Sequence, residues 1–141
     1  MANDGSDFAR SMGIATSGLR AQAGRMRVIS ENIANAESTA QTAGGEPYRR
    51  KVPTFSSALD RTLDAKTVSL GKVRPDQSAF RIKHEPGNPA ADASGNVKYP
   101  NVNPLVEMTD MREAQRSYEA NLNIISATRR MIQRTLDILK A

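Results

Sequence analysis

Both ends of the chain show apolar residues at the spacing of an amphipathic helix, and the middle of the chain does not. Near the N-terminus these residues recur in steps of four and three, which places them along one side of an α-helix. The N-terminal set is Phe8, Met12, Ala15, Leu19, Met26, Ile29, Ile33 and Ala36, with Gln22 as its one strongly polar member. The acidic residues Asp4 and Asp7 suit the positive end of a helix dipole. The sequence therefore predicts a long helix that begins near these acidic residues and ends near Ala36.

A matching set of apolar residues lies at the C-terminal end. Met111, Tyr118, Ile125, Ile132 and Leu139 recur every seven residues, and Met108, Leu122 and Leu136 lie beside them. Asn103 is a suitable N-cap and Pro104 a suitable first helical residue. A helix of roughly 30 residues is about 45 Å long, which is more than a compact domain of this size usually holds. We expect the two helices to pair with each other and with neighbouring subunits, so that both sets serve as core and as subunit interface.

The segment between the two helices has turn and short-strand signals. Residues 41–47 contain two glycines and a proline and predict a turn or a loop. Short strands are predicted over residues 51–55, 67–73, 79–83 and 97–99, and residues 57–63 are open to a short helix instead. The predicted fold is mainly α. It has an N-terminal helix in residues 1–36, an irregular, short-strand-containing segment in 37–102, and a C-terminal helix in 103–141, with the two helices paired as a coiled-coil-like unit.

Glycine occurs three times inside the first predicted helix, at Gly13, Gly18 and Gly24. Each costs roughly 1 kcal/mol of helix stability relative to alanine. We interpret these glycines as positions at which a close-packed neighbouring helix needs the space of a missing side chain.

Residues that carry out chemistry are scarce. The chain has no cysteine, which excludes a disulfide, a thiol nucleophile and a cysteine-ligated zinc site. His84 is the one histidine, and no motif marks a serine or threonine partner for it. Residues 92–96 are similar to the start of a calcium loop but lack the glutamate that would follow, which favours a turn. The sequence predicts a protein that is not an enzyme and has no catalytic residue, metal ligand, cofactor or small-molecule substrate.

A net charge of +5 permits an acidic partner such as nucleic acid. The basic residues are spread over the chain, however, and no aromatic residues alternate with them as in proteins that stack on bases. Solvated faces or protein contacts are favoured, while a basic coiled-coil nucleic-acid-binding protein and a cytoplasmic helical adaptor remain open alternatives. The first ten residues lack the apolar run of a secretory signal, and no stretch is apolar enough to span a membrane.

Specific residues resemble one family. The resemblance is carried by Ser17, Gly18 and Leu19, by Asn32, Ile33, Ala34 and Asn35, by residues 44–51 and 99–103, and by Tyr118, Glu119, Ala120 and Asn121. The Asn-Ile-Ala-Asn run is typical of bacterial flagellar rod and hook proteins. The resemblance covers the whole chain except roughly residues 56–80, and the length suits a small rod subunit.

This resemblance implies a structural subunit of the proximal rod, the drive shaft that crosses the periplasm and encloses the export channel. Its implied partners are further copies of itself, the other proximal and distal rod proteins, the hook–basal body adaptor protein and the flagellar type III export apparatus. Export without a cleaved signal peptide, no membrane insertion and no nucleic-acid partner are implied as well.

Overall fold

The computed structural model describes the backbone of residues 4–140 and the side chains of residues 7–140. Two long helices, α1 (Asp4–Ala34) and α2 (Pro104–Lys140), pack together and confirm the predicted mainly α fold. α1 ends two residues before the predicted Ala36. At this end the Asn35 side chain donates to the carbonyl of Glu31 at 2.8 Å, and the chain continues as a turn. α2 begins at Pro104, where Asn103 Oδ1 accepts the N–H of Leu105 at 3.1 Å as the predicted N-cap.

Six short strands lie between the helices. They are β1 (Lys51–Val52), β2 (Phe55–Asp60), β3 (Ala65–Leu70), β4 (Arg74–Pro75), β5 (Arg81–His84) and β6 (Asn96–Tyr99). They form three antiparallel pairs, β1 with β4, β2 with β3, and β5 with β6. The predicted strands 67–73, 79–83 and 97–99 overlap β3, β5 and β6, and the predicted strand 51–55 covers β1 and reaches the first residue of β2. The alternative of a short helix over residues 57–63 is wrong, because residues 55–60 extend as β2 and Asp60 Oδ1 accepts the N–H groups of Thr62 and Leu63 to form a turn.

The chain forms two compact units, and each contains part of both helices. Unit 1 comprises Met1–Met26, Thr54–Lys72 and Glu113–Ala141, and unit 2 comprises Arg27–Pro53 and Val73–Arg112. Each unit thus contains residues of all three predicted segments, 1–36, 37–102 and 103–141. No helix among the residues described has the length and apolar character needed to cross a bilayer.

In unit 1 the two helices run antiparallel. Gly18 of α1 faces Asn121 of α2, and Arg25 of α1 lies 3.7 Å from the carboxylate of Glu113 of α2. A residue further along α1 thus contacts a residue nearer the start of α2. A Cβ atom at Gly18 would lie 2.9 Å from the Asn121 amide. The missing side chain is therefore what lets this amide sit between the helices.

The β2–β3 hairpin covers another side of α1 in unit 1. Leu63 fills the space above Gly13, and Leu70 fills the space above Gly24. Ser17 Oγ accepts the N–H of Val68 at 3.2 Å, which fastens the middle of the hairpin to the helix. The expectation that neighbouring helices fill the glycine positions holds for Gly18, which faces α2. It is wrong for the other two, because β-hairpin leucines occupy them.

Unit 2 has its own small core beside the β5–β6 hairpin. Ala90, Val97 and Tyr99 are buried together, with Ala40 and Ala91 packed against them. The loop between the strands closes as a turn, because Asp92 Oδ1 accepts the N–H groups of Ser94 and Asn96. This is the turn that the sequence favoured over a calcium loop.

Candidate assembly interface

The buried and half-buried side of α2 follows steps of four and three from the first turn of the helix to Ile132. Its members are Glu107, Met111, Ala114, Tyr118, Asn121, Ile125, Thr128 and Ile132, and we name them the α2 seam. Four of the predicted interface residues belong to it, namely Met111, Tyr118, Ile125 and Ile132. The predicted Leu122, Leu136 and Leu139 lie outside it and are exposed. The structure thus divides one predicted set into residues that α2 buries within the chain and residues that it leaves uncovered.

On α1 the predicted residues are all at least partly buried. Ala15 and Ile29 are buried, whereas Phe8, Met12, Leu19, Met26 and Ile33 are half-buried. Sequence reasoning did not assign Glu107, Ala114, Asn121 and Thr128 to the interface, because on α2 it searched for large apolar residues; Asn121 was named only as a motif residue. The steps of four and three continue through these small and polar residues, and extending that spacing regardless of polarity would have found them.

Asn32 lies at the centre of a buried polar network in unit 2. Its amide nitrogen donates to the carbonyl of Lys51 at 2.8 Å and to Glu107 Oε2 at 3.0 Å. Its amide oxygen accepts the hydroxyl of Tyr48 at 2.8 Å and the N–H of Lys51 at 2.9 Å. Asn32 is completely buried, and these partners use the full hydrogen-bonding capacity of its amide. The last turns of α1 are thereby joined to β1 and to the first turn of α2.

Glu107 supplies the negative charge of this network from the first turn of α2. Only 1% of its side chain is exposed, and Arg50 Nε donates to its Oε1 at 2.7 Å. Arg50 also lies 3.5 Å from Asp76 and 4.0 Å from Asp110. Burial opposes the charge on Arg50, but the bond to Glu107 and the nearby carboxylates outweigh it and raise the pKa of Arg50.

Asn101 extends the network to the loop that follows β4. Its Oδ1 accepts the N–H of Arg50 at 2.8 Å, and its amide nitrogen donates to Ser78 Oγ at 2.9 Å and to the carbonyl of Asp76 at 3.1 Å. The backbone N–H of Ser78, its hydroxyl and Arg50 together lower the pKa of Asp76. Burial, with the charges of Glu31 and Glu107, raises the pKa of Tyr48 to about 12.

The other residues that carry the family resemblance differ in their burial and hydrogen bonding. Ser17 Oγ donates to the carbonyl of Ile14 at 2.7 Å in addition to its bond from the hairpin. Ala34, Glu119 and Ala120 are exposed. Among the described residues no group of three or more acidic or histidine side chains is placed to hold a metal ion, and the exposed His84 contacts Asn96 at 3.2 Å.

Comparison with known proteins identifies the family. Residues 12–40 match the family model described as flagella basal body rod protein, and residues 93–138 match the one described as flagellar basal body rod FlgEFG protein C-terminal. The flagellar basal-body rod protein FlgC of Agrobacterium fabrum is 54% identical over 91% of this chain and 92% of its own length. The chain belongs to the FlgC family of flagellar basal-body rod proteins. FlgC of Bacillus subtilis is 39% identical over 92% of this chain and 97% of its own length. FlgC of Salmonella typhimurium is 38% identical over 89% of this chain and 92% of its own length.

Membership confirms the resemblance seen in the sequence. The matched residues 12–40 contain Ser17, Gly18 and the Asn-Ile-Ala-Asn run, and the matched residues 93–138 contain nearly all of α2. The family consists of structural proteins, which also confirms the prediction that the chain is not an enzyme. Asn32 gives the Asn-Ile-Ala-Asn run a physical role, because this first asparagine of the run holds the buried network together.

The Arg50→Met substitution tests the network. It leaves the buried Glu107 carboxylate without its cation, and we expect it to lower the free energy of unfolding by about 3–5 kcal/mol in urea denaturation. Glu31→Gln is the matched control, because it breaks the ion pair with Lys51, in which each side chain is 41% exposed. The loss of unfolding free energy in Glu31→Gln should be at most about 1 kcal/mol. Equal losses from the two substitutions would contradict the assigned importance of the buried pair.

A second prediction follows from Tyr48. Its pKa is raised to about 12 in the fold, against about 10 in an unfolded chain. The fold favours the neutral phenol of Tyr48. The contribution of this phenol to stability is therefore fully present below about pH 10, and it is lost as the pH rises through the pKa of the folded state. We expect the difference in unfolding free energy between the wild type and Tyr48→Phe to shrink over this range. Parallel pH profiles from urea denaturation would show that Tyr48 does not contribute in this way.

Proposed function

We propose that this chain is a structural subunit of the proximal rod, packing with other rod proteins into the axial shaft that transmits torque and encloses the export channel. The observation that carries this proposal is the uncovered apolar surface of α2. Although the α2 seam is buried against the rest of the chain, the helix exposes further large apolar residues, namely Leu122, Ile124, Met131 and Leu136. Exposed large apolar residues on more than one side of a helix are typical of a protein that is completed by its neighbours.

The exposed residues of α2 have helical spacing of their own. Ala120, Ile124, Met131 and Ile138 follow steps of four, seven and seven, on a different side of the helix from the α2 seam. On α1 the exposed Ala9, Ala23 and Ser30 occupy positions of a seven-residue repeat. Large residues of one subunit can pack against small residues of the next in this arrangement. Leu122, Leu136 and Leu139 lie outside this row but are also exposed, so we assign them to subunit contacts and the buried seam residues to helix pairing.

Torque transmission requires that the helices of a subunit do not slide along each other. Small and polar seam residues fix helix register weakly, whereas a buried ion pair can be satisfied in a single register. The bond from Arg50 to Glu107 and the bonds of Asn32 supply such a constraint in unit 2. Contacts between unlike surfaces of identical or similar subunits generate a helical assembly when the rotation from one subunit to the next does not close a ring.

The charged residues of β1 and the preceding turn argue against nucleic acid as the partner. The guanidinium of Arg49 lies 4.2 Å from the ring centroid of Phe80 and donates to the carbonyl of Asp76 at 3.1 Å. Arg50 is bound to Glu107, and Lys51 to Glu31. The three consecutive basic residues are thus engaged within the chain. We propose the rod proteins, the hook–basal body adaptor protein and the type III export apparatus as partners, with export lacking a cleaved signal peptide and a final position in the periplasm-crossing rod.

Substitutions in the helix pair test the proposal. Ile125→Asp and Ile29→Asp each place a carboxylate in the packed region, at a cost of several kcal/mol. In a strain lacking the native subunit we expect both variants to be exported but not to support swimming, measured by motility plates and by immunoblots of exported protein. Arg130→Ala is the control and should swim normally, because Arg130 is exposed. Normal swimming of both aspartate variants would contradict the proposed role of the helix pair.

A further inference from the structure

The β2–β3 hairpin of unit 1 has one edge beside α1 and one open edge. In an antiparallel pair, alternate residues direct their backbone groups toward the partner strand, and the residues between them direct these groups away from it. Gly71 donates its N–H to the carbonyl of Thr54 at 2.7 Å, so the even-numbered residues of β2 face β3. On β3, Val68 points outward, and Ser17 of α1 accepts its N–H. On β2, the outward residues are Phe55, Ser57 and Leu59.

The open edge of β2 is formed by the backbone groups of these three residues. None of them is hydrogen-bonded within the part of the chain that the structure describes. Phe55 is 45% exposed and Leu59 59%, and both side chains lie on one side of the hairpin. Natural proteins protect such an edge with a charged residue, a proline or a bulge. β2 has none of these from Phe55 to Leu59, so the edge is available to another strand.

The sequence of β2 is complementary to itself when two copies run antiparallel. Pairing Ser57 with Ser57 of a second copy places each Phe55 opposite a Leu59, so the large apolar side chains meet across the strands. The same register places Asp60 opposite Thr54 and brings no like charges together. A register shifted by two residues places Phe55 or Leu59 opposite a serine instead. The strand that fits this edge is therefore β2 of a second copy.

We propose that the unassembled chain forms a two-fold dimer in which β2 of one copy pairs with β2 of the other. The two hairpins then form one four-stranded sheet with the two β2 strands at its centre. An isolated two-stranded hairpin is marginally stable, and further strands with an apolar side stabilise it. Because both copies use the same surface, the contact closes after two chains. The inference goes beyond the proposed function, since a rod needs contacts that continue from subunit to subunit.

Light scattering of the purified full chain after size-exclusion chromatography tests for the dimer. We expect twice the mass of one chain, falling on dilution. Ser57→Lys places two ammonium groups opposite each other at the two-fold axis, so the measured mass should halve. Ser69→Lys is the matched control and should leave the dimer intact, because this serine is equally exposed but lies on β3, away from the axis. Far-UV circular dichroism should show the same helix content in both variants.

Disulfide formation tests the register without weakening the dimer. The chain has no cysteine, so an added one reports alone. In the proposed register the two Cα atoms of residue 57 are about 5.5 Å apart, which a disulfide can span. Those of residue 69 are three strand spacings apart, about 14 Å, which it cannot span. We expect Ser57→Cys to form a disulfide-linked dimer on mild oxidation and Ser69→Cys to stay unlinked.

Three outcomes would overturn the inference. They are a single-chain mass at every concentration, a dimer that persists in Ser57→Lys, and equal disulfide formation at positions 57 and 69. None of them bears on the proposed function, which the swimming of the Ile125→Asp and Ile29→Asp variants tests independently.

Discussion

Among the side chains that the structure describes, Glu107 and Asn32 are the two large polar ones that the fold buries almost completely, and their contact joins the end of α1 to the start of α2. A buried carboxylate is tolerated only where a cation and hydrogen-bond donors surround it. Arg50 and Asn32 supply both, and Arg50 is itself fixed through its backbone to Asn101. The network can form only when segments distant in sequence reach one arrangement. The local structure of unit 2 depends on that requirement.

Unit 1 is held by a different kind of contact. There the helices approach closely because Gly18 leaves room for Asn121, and the β2–β3 hairpin packs by placing Leu63 and Leu70 above glycines of α1. These contacts are small and spread over several turns, and none of them involves a buried charge. We infer that unit 1 provides extended packing surface, whereas the network of unit 2 specifies register. Both properties suit a subunit that must hold its shape while its exposed apolar residues contact neighbours.

The long helices were predictable because their signals are local. Steps of four and three, Asn103 as N-cap and Pro104 as first residue define α2 without knowledge of the rest of the chain. The polar members of the α2 seam were not found, since Glu107 and Asn121 look like surface residues until their partners are known. The partners Arg50 and Gly18 are distant in sequence, and no periodic pattern links them. Likewise, the glycines of α1 indicated a close neighbour but not whether a helix or a hairpin would fill the space. The motif around Asn32 was recognised by resemblance, and its physical role became evident only from its four bonds.

We infer that the buried network, and not helix pairing alone, fixes the arrangement of unit 2. Amide hydrogen exchange followed by NMR measures this most directly, because the N–H of Lys51 is bound to Asn32 and the N–H of Arg50 is bound to Asn101. Both amides lie outside the helices, and their protection depends on side chains. We predict that both amides exchange as slowly as those of residues 27–32 in α1, since all open in one cooperative step. Rapid exchange at Arg50 and Lys51 while the amides of α1 and α2 stay protected would contradict it.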